Sequence, residues 1–226
     1  ISIQIGENGG FYKAGKRGKQ SPIDISAVVV CCHGGPGEDG SLQAMFDLAG
    51  ISYTGPTQRG AAIGMDKLAF SGTMETAGIP SLPLHLVTDD LTLEEPGPFI
   101  IKPRFGGSSI GIEVVEDLAT AKALVKTQPL LRSGAVAQRY LSDAVDLNIS
   151  VRTYPNTTLS AVERPLRPED GGIYSYADKY LTGPEGMASA PRELPADLPP
   201  NIEGELRTIA DQVVQLVMVR SVARTD

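Results

Sequence analysis

A β-branched apolar stretch, Ile23 to Cys32, runs straight into the glycine-rich turn His33-Gly34-Gly35-Pro36-Gly37-Glu38-Asp39-Gly40. A strand that ends in such small residues predicts a tight turn and then a helix. Leu42, Met45, Phe46 and Ala49 follow at helical spacing, with Asp39 as the expected N-cap and Gly50 where a glycine stop belongs. Ile51 to Thr54 reads as the next short strand, and Asp66 to Ala77, closed by Gly78, as a second helix.

The same alternation continues downstream. Phe99 to Lys102 is a strand ending at Pro103; a small-residue loop, Phe105-Gly106-Gly107-Ser108-Ser109, leads into a strand from Ile110 to Val115. Asp117 to Lys126 is a helix with Leu118, Ala121 and Leu124/Val125 on one face, and Ala135 to Leu141 is strand-like. Asp146 to Tyr154 and Thr158 to Glu163 alternate as antiparallel partners. Pro165 to Pro195, rich in Gly, Pro and acidic residues, reads as a long loop of the kind that serves as a lid. Asn201 to Val219 carries Ile202, Leu206, Ile209, Val213 and Leu216/Val217 as an amphipathic stripe. Strands alternating with helices predict an α/β (α+β) fold with more than one layer, and a boundary near residue 64.

Length and charge narrow the function. The 226 residues suffice for one large domain or two to three small ones. Lys and Arg total 20 against 27 Asp and Glu, so no global field exists to attract a phosphate backbone, and a nucleic-acid partner is not expected. The longest apolar run, Ala27 to Cys32, is far short of the roughly 20 residues a bilayer crossing needs. With no basic-then-apolar start either, the expectation is a cytoplasmic protein without membrane association. Cys31 and Cys32, side by side in a strand-like run, point to opposite faces, so buried free thiols are expected rather than a disulfide.

Two motifs mislead. Gly10-Phe11-Tyr12-Lys13-Ala14-Gly15-Lys16-Arg17 has the G-x-x-x-x-G-K spacing of a phosphate loop, but Arg17 stands where a Mg²⁺-ligating hydroxyl is required, and a basic hairpin or surface loop is expected. Gly35-Pro36-Gly37-Glu38-Asp39-Gly40 spells G-x-G-x-x-G between strand and helix. Yet Ile51 to Pro56 offers no ribose-binding acid, and Glu38 and Asp39 would oppose a pyrophosphate, so these are tight-turn glycines.

A different set of phosphate-compatible groups is spread over the chain. Lys67 opens a helix, Lys102 ends a strand, and Gly106-Gly107-Ser108-Ser109 offers amides and hydroxyls able to wrap a polyphosphate. Together they fit a nucleotide site between two closing sheets.

His33-Gly34-Gly35 through Glu38-Asp39-Gly40-Ser41-Leu42-Gln43, Ile51-Ser52-Tyr53-Thr54-Gly55, Gly64-Met65-Asp66-Lys67, and Ile101-Lys102-Pro103 with Gly107-Ser108-Ser109-Ile110-Gly111 occur in series. In order and spacing this series resembles the D-alanine-D-alanine ligase branch of the ATP-grasp enzymes. Ala177-Asp178-Lys179-Tyr180-Leu181 and Ala223-Arg224-Thr225-Asp226 extend the likeness.

The resemblance implies an ATP-grasp fold: an incomplete N-terminal Rossmann-like (pre-ATP-grasp) domain over 1–63, a central ATP-binding subdomain over 64–145 and a C-terminal one, incomplete at its end, over 146–226. ATP would lie between the two sheets, with Lys67 and Lys102 neutralising phosphate oxygens and the loop of Gly106, Gly107, Ser108 and Ser109 closing over them. Gln138, Arg139, Tyr140 and Leu141 would form the hinge at the adenine edge, and Asp146 would hold the ribose. Lys179 and Tyr180 would close the site, Ser108 would join them in the catalytic set, Arg224 would stabilise the tetrahedral intermediate, and Asp226 would ligate Mg²⁺. The implied reaction activates a carboxylate as an acyl phosphate, and an amine then attacks to give an amide. Small-molecule amino acids are the implied substrates, D-alanine in peptidoglycan precursor synthesis foremost, and a homodimer is compatible with the likeness.

Departures from the family pattern leave alternatives open. Gln138 stands where the family usually has an acidic residue. No glycine-rich opening unit precedes Ile1, and no Glu and Asn metal ligands follow Asp226, so the sequence reads as an interior portion of a longer enzyme. A peptide ligase of secondary metabolism and an inactive nucleotide-binding relative are the alternatives. A nicotinamide-dependent oxidoreductase built on Gly35 to Gly40 is the remaining one.

Overall fold

The computed structural model describes residues 2–166 and 191–225. At the N-terminal end, β1 (Ser2–Ile5), β2 (Phe11–Ala14) and β3 (Gln20–Ile23) form an antiparallel sheet. The segment with phosphate-loop spacing is therefore spent on β2 and the turn into β3. A second, parallel pair joins β4 (Ala27–Val28) to β5 (Ser52–Tyr53), with the helical turn α1 (Gly35–Glu38) and helix α2 (Ser41–Ala49) between them. Phe46 and Ala49 of α2 meet Phe11 and Ile51 in the core of this unit.

Several expectations need correction here. The apolar stretch from Ile23 is two short strands, because β4 ends at Val28, and Val30 donates its N–H to the Thr54 hydroxyl instead of extending a ladder. Cys31 and Cys32 consequently lie beyond the strand and are exposed, not buried. The N-cap of α2 is Gly40, at φ +95°, a conformation that Asp39 would adopt only with strain. Asp39 still contributes, since its carboxylate accepts the Ser41 N–H at 2.8 Å, and hydrogen bonding from Ser41 holds its pKa below the usual value.

The helix predicted over 66–77 is present as α4 (Lys67–Thr76), capped by Asp66. Before it lies a helix that was not expected, α3 (Gln58–Met65), whose N-cap Thr57 accepts the Gly60 N–H at 3.1 Å. Gly60 is required by packing, because a Cβ there would overlap the Val217 carbonyl oxygen.

The central sheet runs in the order β6 (His85–Leu86), β9 (Ala135–Arg139), β7 (Phe99–Pro103), β8 (Glu113–Val115), with every neighbouring pair antiparallel. Helix α5 (Leu118–Thr127), capped by Asp117, covers one face. Phe99, Ile101, Ala121, Ala135 and Ala137 share the core there, and Ile101 is fully buried. Because side chains alternate along a strand, Lys102 and Gln138 emerge on the opposite face. The expected strands shorten at this end: β8 begins at Glu113, after a turn with Ser108, Ser109 and Gly111 at positive φ, and β9 stops at Arg139.

The second antiparallel sheet is β11 (Thr158–Leu159), β10 (Ile149–Arg152), β14 (Val222–Thr225). Helix α6 (Pro200–Leu216) packs Leu206 and Ala210 against Ile149 and Val162, and Ile209 and Val213 against Met74 and Ile79. The expected stripe holds at Leu206, Ile209, Val213 and Val217, with Ala210 and Val214 buried beside them, whereas Ile202 and Leu216 at the two ends of the helix are partly exposed. The expected loop from Pro165 to Pro195 is paired at its base, where β12 (Arg164–Pro165) meets β13 (Arg192–Glu193). The remainder of the expected lid, 167–190, lies outside the described residues. Among the described residues no helix is long and apolar enough to cross a membrane.

Candidate functional site

The face of the central sheet opposite α5 gathers cations from distant parts of the chain. Lys102 is brought there by the pleat of β7, and its Nζ donates to Gln138 Oε1 on the paired strand β9 at 3.0 Å. Lys67, at the first position of α4, donates its Nζ to the Gly106 carbonyl at 2.6 Å. Both are half-buried, and loss of hydration is the main cause pushing each ammonium below the usual lysine pKa. Lys102 depresses Lys67 further by like-charge repulsion, whereas the carboxylate of Asp146 works the other way on Lys102.

Among the described residues neither lysine forms an ion pair; the bonds of both ammonium groups go to neutral acceptors. Two such charges near one another cost folding energy and stand ready for an anion. The loop after β7 lies at the same place. Ser108 (φ +56°) and Ser109 (φ +58°) adopt left-handed backbone that non-glycine residues seldom hold, a strain that clusters at ligand sites.

A device that sequence reasoning missed holds Lys67 in place. Asp66 caps α4 by accepting the Leu68 and Ala69 N–H groups, while Arg104 grips the same carboxylate in bidentate fashion at 2.8 and 2.6 Å. The Lys67 N–H donates to the Arg104 carbonyl at 3.0 Å, and Asp66 bridges Phe105. The Arg104 hydrogen bonds hold the Asp66 carboxyl below its usual pKa, and Asp66 raises Arg104 in return. The start of α4 is thereby bolted to the end of β7. Asp66 ahead of a helix is a readable cap; its second partner, 38 residues away, carries no sequence signal.

The other expected residues distribute as follows. Gly106 accepts from Lys67, and Gly107 accepts the Ile110 N–H within the turn that carries Ser108 and Ser109. Arg139 ends β9 and faces Glu95 at 3.8 Å. The Tyr140 N–H is taken by the Pro98 carbonyl, so it belongs to the sheet; Leu141 follows, exposed. Asp146 is exposed ahead of β10. Arg224 lies on the second sheet, on β14 opposite Ser150. Lys179, Tyr180 and Asp226 lie outside the described residues. Lys67, Lys102, Gly106, Gln138 and Asp146 are thus the expected residues that the structure brings together.

The family model described as D-ala D-ala ligase C-terminus matches residues 74–226, and the one described as D-ala D-ala ligase N-terminus matches residues 5–56. The chain belongs to the D-Ala–D-Ala ligase family. A D-alanine–D-alanine ligase from Acidiphilium cryptum is 30% identical over 203 residues, covering 88% of this chain and 64% of that protein. The chain spans roughly three-fifths of the length of the curated ligases it matches.

Solved ligase structures share the fold. D-alanyl-alanine synthetase A from Vibrio cholerae superposes with a TM-score of 0.76 at 23% identity, over 98% of this chain and 67% of that one. The D-alanine–D-alanine ligase from Bacillus anthracis complexed with ATP gives 0.68 at 19% identity, over 88% of this chain and 62% of that one. The fold is the mixed α/β ATP-grasp fold.

Proposed function

We propose that the protein to which this chain belongs is an ATP-dependent, ADP-forming ligase that joins two amino acids, D-alanine to D-alanine, in peptidoglycan precursor synthesis. The observation that carries this reading is the pair of half-buried lysines, Lys67 and Lys102, which among the described residues donate to neutral acceptors, beside the left-handed Ser108-Ser109 turn. Family membership supports the chemistry, and the Bacillus anthracis relative was solved with ATP.

In this reading the γ-phosphoryl group of ATP supplies the activation of a substrate carboxylate. Lys67 and Lys102 exchange their neutral acceptors for phosphate oxygens and stabilise the charge that spreads over them during transfer. The loop of Gly106, Gly107, Ser108 and Ser109 covers the phosphates, and Ser108 orients the substrates. Gln138, Arg139, Tyr140 and Leu141 line the adenine edge, Asp146 holds the ribose, and Lys179 and Tyr180 close over the site. Arg224 offers its guanidinium to the oxyanion formed when the amine attacks. The described residues contain no cluster of three or more acidic, His or Cys side chains able to hold a metal, and Asp226, the proposed Mg²⁺ ligand, lies outside them, so no step is assigned to the metal. The division at 1–63, 64–145 and 146–226 is proposed with this reading, as are a cytoplasmic location and amino-acid substrates.

Calorimetry with ATP, ADP and NADH tests the nucleotide, and ATP binding tighter than NADH is expected. Phosphate release from the whole gene product, with D-alanine and a panel of other amino acids, tests the reaction. No release with any of them would sink the ligase reading and leave a nucleotide-binding relative.

A further inference from the structure

The segment 53–60 docks on 217–220, and this seam carries a side-chain relay that the proposed reaction does not use. Arg220 Nη2 donates to the Tyr53 hydroxyl at 2.6 Å, and that hydroxyl donates to Asp47 Oδ2 at 3.2 Å. The guanidinium carbon also stands 5.0 Å from the centre of the Tyr53 ring, which packs in turn on Phe46 at 5.4 Å. Burial, together with the Asp47 hydrogen bond, raises the Tyr53 pKa, so the hydroxyl stays protonated and can both accept and donate.

What the relay grips is informative. Arg220 stands between Met218 (φ +53°) and Ser221 (φ +67°), two residues in left-handed backbone. Ser221 is locked in both directions to Thr153: its N–H donates to the Thr153 hydroxyl, and its carbonyl accepts the Thr153 N–H, each at 2.8 Å. β14 begins at the next residue, and Arg224 follows two residues later, opposite Ser150. The Thr57 N–H reaches the Met218 carbonyl at 3.5 Å, so the N-terminal unit touches this short segment at several points. Beside the relay a cleft of about 510 Å³ opens, lined by Asp47, Tyr53, Tyr154 and Arg220, so water can reach the Arg220–Tyr53 bond and compete for it.

We infer that Arg220 is a positioning residue: the Asp47–Tyr53–Arg220 relay anchors the start of β14 to the N-terminal unit and thereby sets where Arg224 stands. The consequence for catalysis rests on the proposed ligase reaction, in which Arg224 meets the oxyanion. A guanidinium that must match a developing charge is sensitive to small displacements, since a misplacement of about 1 Å can cost roughly a hundredfold in rate. The relay lets the unit at 53–60 control that placement without touching nucleotide.

The test uses the full-length protein. Tyr53→Phe removes only the hydroxyl and keeps the ring between Phe46 and Arg220, so folding is preserved; Arg220→Gln removes the other partner. In phosphate release with D-alanine, Arg220→Gln should lower kcat by about tenfold to a hundredfold with KM for ATP within about twofold, and Tyr53→Phe should lower kcat by about threefold to tenfold. The double variant should be no slower than Arg220→Gln alone, and Arg220→Lys should recover part of the rate. Unchanged kcat in folded variants, effects that simply multiply, or a rise in KM equal to the fall in kcat would each overturn the inference. Hydrogen exchange at the amides of Val222 to Thr225 supplies a readout that needs no turnover. Faster exchange in Tyr53→Phe is expected, and unchanged exchange refutes the anchor. Should the wild-type protein release no phosphate with any amino acid, the ligase reading fails while the exchange data still decide the anchor.

Discussion

The central sheet and the N-terminal unit solve the same packing problem with different success. In the central sheet, β7 and β9 pair over five positions, and α5 seals one face so completely that Ile101, Ala121 and Ala137 have no exposed surface. In the N-terminal unit, β4 and β5 pair over two residues, and Val29 and Leu48 remain largely exposed. Long, sealed strands can spare their other face for costly groups, and that is where Lys102 and Gln138 stand. Short strands have no such reserve, and the groups near them serve docking instead, as Tyr53 does against Arg220.

The largest effect should come from opening the sealed face. Ile101→Ala is expected to destabilise the protein by about 2–5 kcal/mol in urea unfolding, and Ile51→Ala by less, because the N-terminal core can relax around the gap. The reverse order would break the contrast. Lys102→Ala should weaken ATP binding by about 1.5–3 kcal/mol in calorimetry, the range for hydrogen bonds to a charged group, without lowering the melting temperature, since a half-buried charge is removed. A large drop in melting temperature with unchanged affinity would make Lys102 a structural residue.

A smaller effect is expected at the cap that joins the two regions. Thr57→Ala should cost about 0.5–2 kcal/mol by freeing the Gly60 N–H at the start of α3. Asp66 gives a pH signature. Its folded pKa is depressed below the unfolded value of 3.8, so its contribution is present above that value and fades as pH falls through the lower, folded one. Unfolding followed from about pH 5 to about pH 3 should therefore show a steeper loss for the wild type than for Asp66→Asn. Equal slopes would remove Arg104 from the account of how Lys67 is held. The smallest effect is expected at Cys31 and Cys32, where serine should change stability by no more than about 0.5 kcal/mol and both thiols should react with a thiol reagent in the folded state.

These elements also mark how far the amino-acid sequence could be read. Helices α4 and α5 were legible because Asp66 and Asp117 are local caps followed by periodic apolar residues. Lys67, Lys102 and the Gly106 to Ser109 loop were legible as phosphate-compatible types, and family resemblance supplied their order. Helix α3 was not, because Gly60 and Gly64 lower its helical propensity and what makes Gly60 necessary is Val217, far along the chain. The Asp66–Arg104 grip and the Tyr53–Arg220 bond span 38 and 167 residues, and no periodicity encodes such partners. The apolar run up to Cys32 reads as one strand and so predicts buried thiols, but the partner strand β5 is only two residues long, and the pairing ends at Val28, before both cysteines.

Gly60 leaves the two halves of the molecule with less clearance than one methyl group. It acts as a gauge of their separation. Alanine at this position would favour α3 by roughly 0.5–1 kcal/mol if the helix stood alone, yet here it would drive a wedge against the Val217 carbonyl three residues before Arg220. The size of the Gly60→Ala effect would therefore report how readily the halves can part by about an ångström, turning one hydrogen-for-methyl exchange into a ruler for the seam.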